Sequence, residues 1–177
     1  MQLTDSLKSL IRDVPDFPKA GVMFKDITPL LEEPQIVRET VKALATCYEG
    51  KKVDAIAAIE ARGFLFGFLL AQELNVPFIP IRKEGKLPYR KVTEEYALEY
   101  GTAIIEMHMD AVKKDWQVVV HDDLLATGGT ANAAGQLIHR LGGKVLGFSF
   151  IVNLEFLEGR QLLKRKYNCN PDYLIEY

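Results

Sequence analysis

The chain has 177 residues, enough to bury one core and too few to divide into two well-buried ones. Hydrophobic residues make up 48% and charged residues 26%, a balance that excludes a disordered chain. Its 22 basic and 24 acidic residues give a formal charge of −2, so no global field draws it to nucleic acid, and any bound anion must be held by local groups.

No apolar run reaches the roughly 18 residues that a membrane-spanning helix requires. Met1 to Asp13 mixes acids with apolar residues and lacks the apolar core of a secretion signal, so the expectation is a cytoplasmic protein with no membrane partner. Cys47 and Cys169 stand apart, without metal-ligand spacing, as reduced thiols do.

Leu3, Leu7, Leu10 and Ile11 recur at helical spacing and predict a short amphipathic opening helix. Pro15, Pro18 and Pro29, with Gly21 among them, break the pattern and predict an extended loop. A second helix is expected over Gln35–Tyr48. An alternation follows: an apolar strand at Val53–Ile59, a helix at Phe64–Leu74, and strands at Pro77–Ile81 and Gln117–His121. A helix at Ala131–Leu141, closed by Gly142 and Gly143, and a strand at Lys144–Val152 continue it. Strands apolar on both faces that alternate with helices predict an α/β fold: an open, mainly parallel sheet with helices on both faces. One domain, 1–177, is expected. The charged segment Glu84–Gly101 interrupts the rhythm, and a connection this long inside a compact domain is usually a lid or a binding loop.

The most informative run is Val118-Val119-Val120-His121-Asp122-Asp123-Leu124-Leu125-Ala126-Thr127-Gly128-Gly129-Thr130. A buried strand ends in two adjacent carboxylates, and a small-residue turn then opens a helix. Glycines let backbone N–H groups approach an anion, the helix adds its positive end, and Thr127 and Thr130 add hydroxyl donors. Ala126 to Thr130 therefore reads as a phosphate cradle. Asp122 and Asp123 repel phosphate but accept hydrogen bonds from vicinal hydroxyls. A phosphate cradle beside a diol acceptor describes the recognition of a ribose 5-phosphate. Arg62 lies between a strand and a helix start, where the helix dipole disfavours a cation. Either an anion arriving from outside or a salt bridge to a nearby acid such as Glu60 accounts for it, and Lys83 follows the next strand in the same way. Groups at the C-terminal ends of parallel strands line the edge where open α/β sheets bind ligands. His121 reads as a packed, hydrogen-bonded ring.

The segment Asp122–Thr130 resembles the phosphoribosyl-pyrophosphate motif of type I phosphoribosyltransferases, in the wording typical of those that use adenine. The resemblance runs from Pro15 to about Leu154. It includes Asp16-Phe17-Pro18 with Gly21 and Phe24, Ala61-Arg62-Gly63-Phe64, Arg82-Lys83, Gly85-Lys86-Leu87-Pro88 and Leu98-Glu99-Tyr100-Gly101. It implies the phosphoribosyltransferase fold, with a small N-terminal hood over about 1–33 and a lid over about 84–101. It implies that adenine displaces pyrophosphate from phosphoribosyl pyrophosphate to give AMP. Mg²⁺ is expected to arrive on the substrate, with no metal cage in the protein, and the implied assembly is a homodimer.

The same resemblance places Arg62 and Lys83 at the pyrophosphate and makes Arg82 and Lys86 candidates for contacts there from a neighbouring subunit. At the base it implies Phe24 as a stacking ring, with the backbone at Met23 and Lys25 reading the exocyclic amine and Leu125 beside them. Phe24 also reads as plain core. Glu99 is expected to handle the N9 proton, or else to be a solvated acid, with Tyr100 shielding the site and Arg62 assisting catalysis. Two positions depart from the family pattern: Lys25, where arginine is commoner, and His121, where an aliphatic residue is. Xanthine, hypoxanthine or orotate as the base, and a non-catalytic sensor of phosphoribosyl pyrophosphate, stay open. A dinucleotide-binding fold is disfavoured because no G-x-G-x-x-G follows the first strand.

Overall fold

The structure, a computed structural model, describes residues 2–97 and 101–177. Helix α1 (Leu3–Leu10) buries Leu7, and an antiparallel hairpin of β1 (Arg12–Pro15) and β2 (Met23–Asp26) follows it. A 3-10 turn, Thr28–Glu32, leads into α2 (Pro34–Thr46), which opens on a proline where the missing N–H would have had no partner anyway. Next come β3 (Ala55–Ile59), α3 (Arg62–Glu73) and β4 (Phe78–Lys83). Strands β5 (Lys91–Ala97) and β6 (Thr102–His108) pair antiparallel. The second strand-helix-strand unit is β7 (Gln117–His121), the short β8 (Leu124–Leu125), α4 (Gly129–Arg140) and β9 (Lys144–Asn153). After a second 3-10 turn, α5 (Gly159–Tyr167) and β10 (Asp172–Glu176) follow.

The main sheet runs β10-β9-β7-β3-β4-β6-β5, with β8 added to β9. Pairs from β10 to β4 are parallel, and β6 and β5 add an antiparallel margin. Alternate residues of the central strands feed two cores. Ala55, Ala57, Val118 and Val120 pack with Leu137 and Ile138 of α4, whereas Ile56 and Val119 pack with Phe66 and Leu70 of α3 and Leu44 of α2. Helices therefore cover both faces, as continuous apolar strands require. Helix α3 lies hard against β3, because a Cβ on Gly67 would stand 2.5 Å from the Ala58 methyl.

The expected helices and parallel strands are all present, with ends moved by a residue or two. Five regions carry more order than the sequence pattern indicates. The Pro15–Pro29 segment holds the hairpin strand β2, and Glu84–Gly101 holds β5. Residues 102–108, 159–167 and 172–176, given no element by the pattern, form β6, α5 and β10. Strand β5 was masked by a charge at an inward position. Val92, Glu94 and Tyr96 are its less exposed residues, and the Glu94 carboxylate is taken by Arg140 of α4, which also donates to the Thr93 carbonyl.

Candidate active site

From β3 the chain passes through α3 to β4 on one side, and from β7 it passes through α4 to β9 on the other. The C-terminal ends of β3 and β7 thus flank the switch point of the sheet, where the outgoing loops part and leave a crevice. Arg62 follows β3, and the Asp122–Thr130 run follows β7.

Gly128 is the N-cap of α4 at φ +80°, a left-handed conformation that favours glycine. A cavity of about 70 Å³ above this turn is lined by Asp122, Ala126, Thr127, Gly129 and Thr130, among others. Gly159, at the start of α5, braces the turn from beneath: a Cβ there would stand 2.2 Å from the Ala126 carbonyl oxygen and 2.9 Å from the Gly128 nitrogen. The sequence pattern did not reveal this residue. Its only local signal is a glycine opening a helix far along the chain.

Asp122 Oδ1 accepts the Asp123 N–H at 2.9 Å. Asp123 is almost wholly buried, and its Oδ2 lies 2.8 Å from Nε of Arg62. Burial, and then the charge of Asp123, push the Asp122 carboxyl well above the usual range. Burial raises Asp123 too, against the opposing pull of Arg62. Helix α3 can start beside this pair because Gly63 has no side chain; a Cβ there would lie 2.8 Å from Asp122 Oδ1.

Arg62 does form a salt bridge to a nearby acid, but the acid is Asp123 and not Glu60. Its ion pair is with Asp123, and its guanidinium lies 4.7 Å from the centre of the Phe24 ring, while Glu60 pairs with Arg82 at 3.1 Å. The guanidinium thus links the hairpin ring to the carboxylate pair. Phe24 is half-buried and meets Phe17 edge-on at 5.0 Å. Lys25 turns its ammonium to Asp13, at 2.6 Å, and to the Tyr177 ring, at 3.7 Å. The Lys25 ammonium is therefore turned away from the Phe24 ring side of the hairpin and engaged within the protein. Met23 is largely exposed. The Leu125 side chain is buried against Gly159 and also lines the small cavity at the Ala126–Thr130 turn.

Arg82 and Lys83 share a cavity of about 160 Å³ with Glu60, Tyr96, Asp122 and Thr130. Glu60 also accepts the Lys83 N–H at 3.0 Å. Lys86 lies on the following turn, exposed. Among the described residues neither Lys83 nor Lys86 forms an ion pair. Glu99 and Tyr100 lie outside the described residues. The end of β5 does reach the site, since a Cβ on Gly129 would lie 3.5 Å from the Ala97 carbonyl. His121 is the packed ring expected: it is fully buried, with Nδ1 3.1 Å from Ser149 Oγ, and burial lowers its pKa to about 3, so it is neutral near pH 7. Among the described residues there is no group of three or more His, Cys, Asp or Glu able to hold a metal ion.

The glycine-threonine turn and the carboxylate pair sit at the switch point of a parallel sheet in a chain whose residues 26–170 match the phosphoribosyl transferase domain family, and this is its class. An adenine phosphoribosyltransferase of Cytophaga hutchinsonii is 51% identical over 99% of this chain and 96% of its own length. The crystal structure of adenine phosphoribosyltransferase from Thermoanaerobacter pseudethanolicus is 48% identical, with a TM-score of 0.95 over 99% of this chain and 100% of that one. The Saccharomyces cerevisiae enzyme, solved with an imino-altritol bisphosphate and adenine, is 35% identical with a TM-score of 0.90 over 98% of each chain. The chain belongs to the adenine phosphoribosyltransferase family.

Proposed function

We propose that the protein transfers the phosphoribosyl group of phosphoribosyl pyrophosphate to N9 of adenine, releasing pyrophosphate and forming AMP in purine salvage. The observation that carries this reading is the meeting, at one crevice, of the phosphate turn, the Asp122–Asp123 pair and the Phe24 hairpin, bridged by Arg62. In this reading the Ala126–Thr130 backbone and the threonine hydroxyls hold the 5′-phosphate at the positive end of α4. Asp122 and Asp123 accept the ribose hydroxyls, Phe24 stacks on the base, and the backbone at Met23 and Lys25 reads its amine edge. Lys83, Arg82 and Lys86 stabilise charge on the departing pyrophosphate.

As the anomeric bond breaks, positive charge grows on the ribose, and in this reading the carboxylates that accept its hydroxyls favour that charge. Arg62, fixed by Asp123 and Phe24, orients the junction between ribose and base. Mg²⁺ would arrive on the substrate, held by pyrophosphate and ribose oxygens, and would neutralise the leaving pyrophosphate. Glu99 is proposed to take or stabilise the N9 proton, and Tyr100 to exclude water. Glu99→Gln is expected to lower kcat by roughly 10²-fold with folding unchanged; turnover within a few-fold of the parent would remove it from the mechanism.

The reading includes a cytoplasmic homodimer. Leu65, Phe68 and Leu69 are exposed on one face of α3, an apolar surface that a second copy would cover. No helix among the described residues is long and apolar enough to cross a membrane. The deciding assay offers adenine, hypoxanthine, guanine and xanthine in parallel with phosphoribosyl pyrophosphate and Mg²⁺. AMP formation from adenine alone is expected. Preferential turnover of another base would overturn the reading of the hairpin, and binding of phosphoribosyl pyrophosphate without turnover would make the protein a sensor.

A further inference from the structure

The basic segment after β4 is held by two carboxylates, and only Glu60 lies at the crevice. The other, Glu106, sits on β6 between β4 and β5, with no exposure to solvent. Its Oε1 accepts the N–H of Lys86 at 2.9 Å and of Leu87 at 2.8 Å, and its Oε2 lies 2.7 Å from the Lys91 ammonium. Arg82, directly opposite Glu106 in the strand pairing, donates to the Lys86 carbonyl at 3.3 Å. The backbone of Lys86 is therefore held at both its N–H and its C=O. The preceding turn closes through Lys86 N–H to the Lys83 carbonyl at 3.3 Å, with Gly85 at φ +79°. Burial alone would raise the Glu106 carboxyl, but Lys91 and the N–H groups of Leu87, Gly85 and Lys86 outweigh it and hold it below the ordinary range. It is thus a charged group, and a buried charge persists only where such partners satisfy it.

We propose that Glu106 is a positioning residue for pyrophosphate: it fixes the backbone of the Lys83–Lys86 turn and takes Lys91 as its ion partner, so that the Lys83 and Lys86 ammonium groups remain available to the leaving group. The inference rests on the reading of those two lysines as pyrophosphate ligands. A lysine whose backbone is already fixed loses less conformational freedom when it engages an anion. Acidic support delivered through backbone N–H groups also leaves the lysine charges unspent.

The test compares two double variants that both lack the Glu106–Lys91 ion pair. Glu106→Gln with Lys91→Met keeps an amide oxygen for the Lys86 and Leu87 N–H groups, whereas Glu106→Leu with Lys91→Met offers none. The leucine pair is expected to raise the KM for phosphoribosyl pyrophosphate at least about 10-fold over the glutamine pair, on the scale of two lost hydrogen bonds. The KM for adenine should agree within about 2-fold between them, since the base subsite is untouched. Equal KM values for phosphoribosyl pyrophosphate, or an equal rise for both substrates, would overturn the proposal. Should the leucine pair lack a melting transition, the glutamine pair is compared with the parent. It keeps an acceptor for the turn N–H groups and is expected to hold that KM within about 3-fold, whereas a 10-fold rise would assign the effect to the ion pair and overturn the backbone role. Calorimetric affinity for phosphoribosyl pyrophosphate separates the two ideas: a parent that turns over no adenine refutes the function, while its affinity still reports on Glu106.

Discussion

Replacing Asp122 and Asp123 together by Asn is expected to lower kcat/KM for phosphoribosyl pyrophosphate by roughly 10²–10⁴-fold, because each carboxylate contributes a charge-assisted hydrogen bond of about 1.5–3 kcal/mol. Stability should move the other way. Two adjacent carboxyls, one almost wholly buried and both raised in pKa by burial, disfavour their own ionised forms. A carboxyl whose folded-state pKa lies above its unfolded value binds more protons when folded. Its cost to stability is therefore greatest above the folded pKa and disappears as pH falls through it. The Asn variant should melt at or above the parent's Tm near pH 8, and this gain should shrink toward acid pH. Steady-state kinetics and melting at pH 5 and pH 8 measure both effects. A variant with parental kcat/KM would sink the assignment of the ribose hydroxyls to this pair. A variant less stable than its parent at pH 8 would show the carboxylates to be structural anchors for Arg62.

Gly159→Ala is expected to damage substrate use and stability together, although Gly159 contributes no polar side-chain group to the site. The added methyl would lie 2.2 Å from the Ala126 carbonyl oxygen and 2.9 Å from the Gly128 nitrogen, and both belong to the turn proposed to hold the 5′-phosphate. That overlap forces α5 and the turn apart. Overpacking of this kind costs about 1–3 kcal/mol, which for a chain of this size lowers Tm by roughly 2–12 °C. Misplacing the turn N–H groups should raise the KM for phosphoribosyl pyrophosphate at least about 10-fold, with the KM for adenine less affected. Calorimetric melting and initial rates check both. A lowered Tm with unchanged KM would mean that the turn keeps its shape without the brace.

Much of the site is contiguous, and that is why it was legible. Asp122 through Thr130 carries the proposed diol acceptor, the proposed phosphate turn and a helix start in nine successive residues. A strand that ends at His121 can deliver them only to one edge of the sheet. The parallel strands were legible for a related reason: β3 is buried on both faces and reads as an unbroken apolar run.

Strand β5 hid behind its charges, because its inward Glu94 is satisfied by Arg140, which lies 46 residues away. Glu106 looks like an ordinary acid in an apolar strand until the chain returns the Lys86 turn to it, 20 residues distant. The partner of Arg62 likewise lies across the switch point on Asp123, not on the neighbouring Glu60. By itself, then, the sequence determined the chemistry carried by adjacent residues and the parallel α/β architecture that patterned burial requires. Only the tertiary structure decided which carboxylate meets which cation, which backbone the buried acids hold, and which glycines must be bare. Those depend on distances between segments remote along the chain, and hydrophobic periodicity reports only which face of a segment is buried, not what is packed against it.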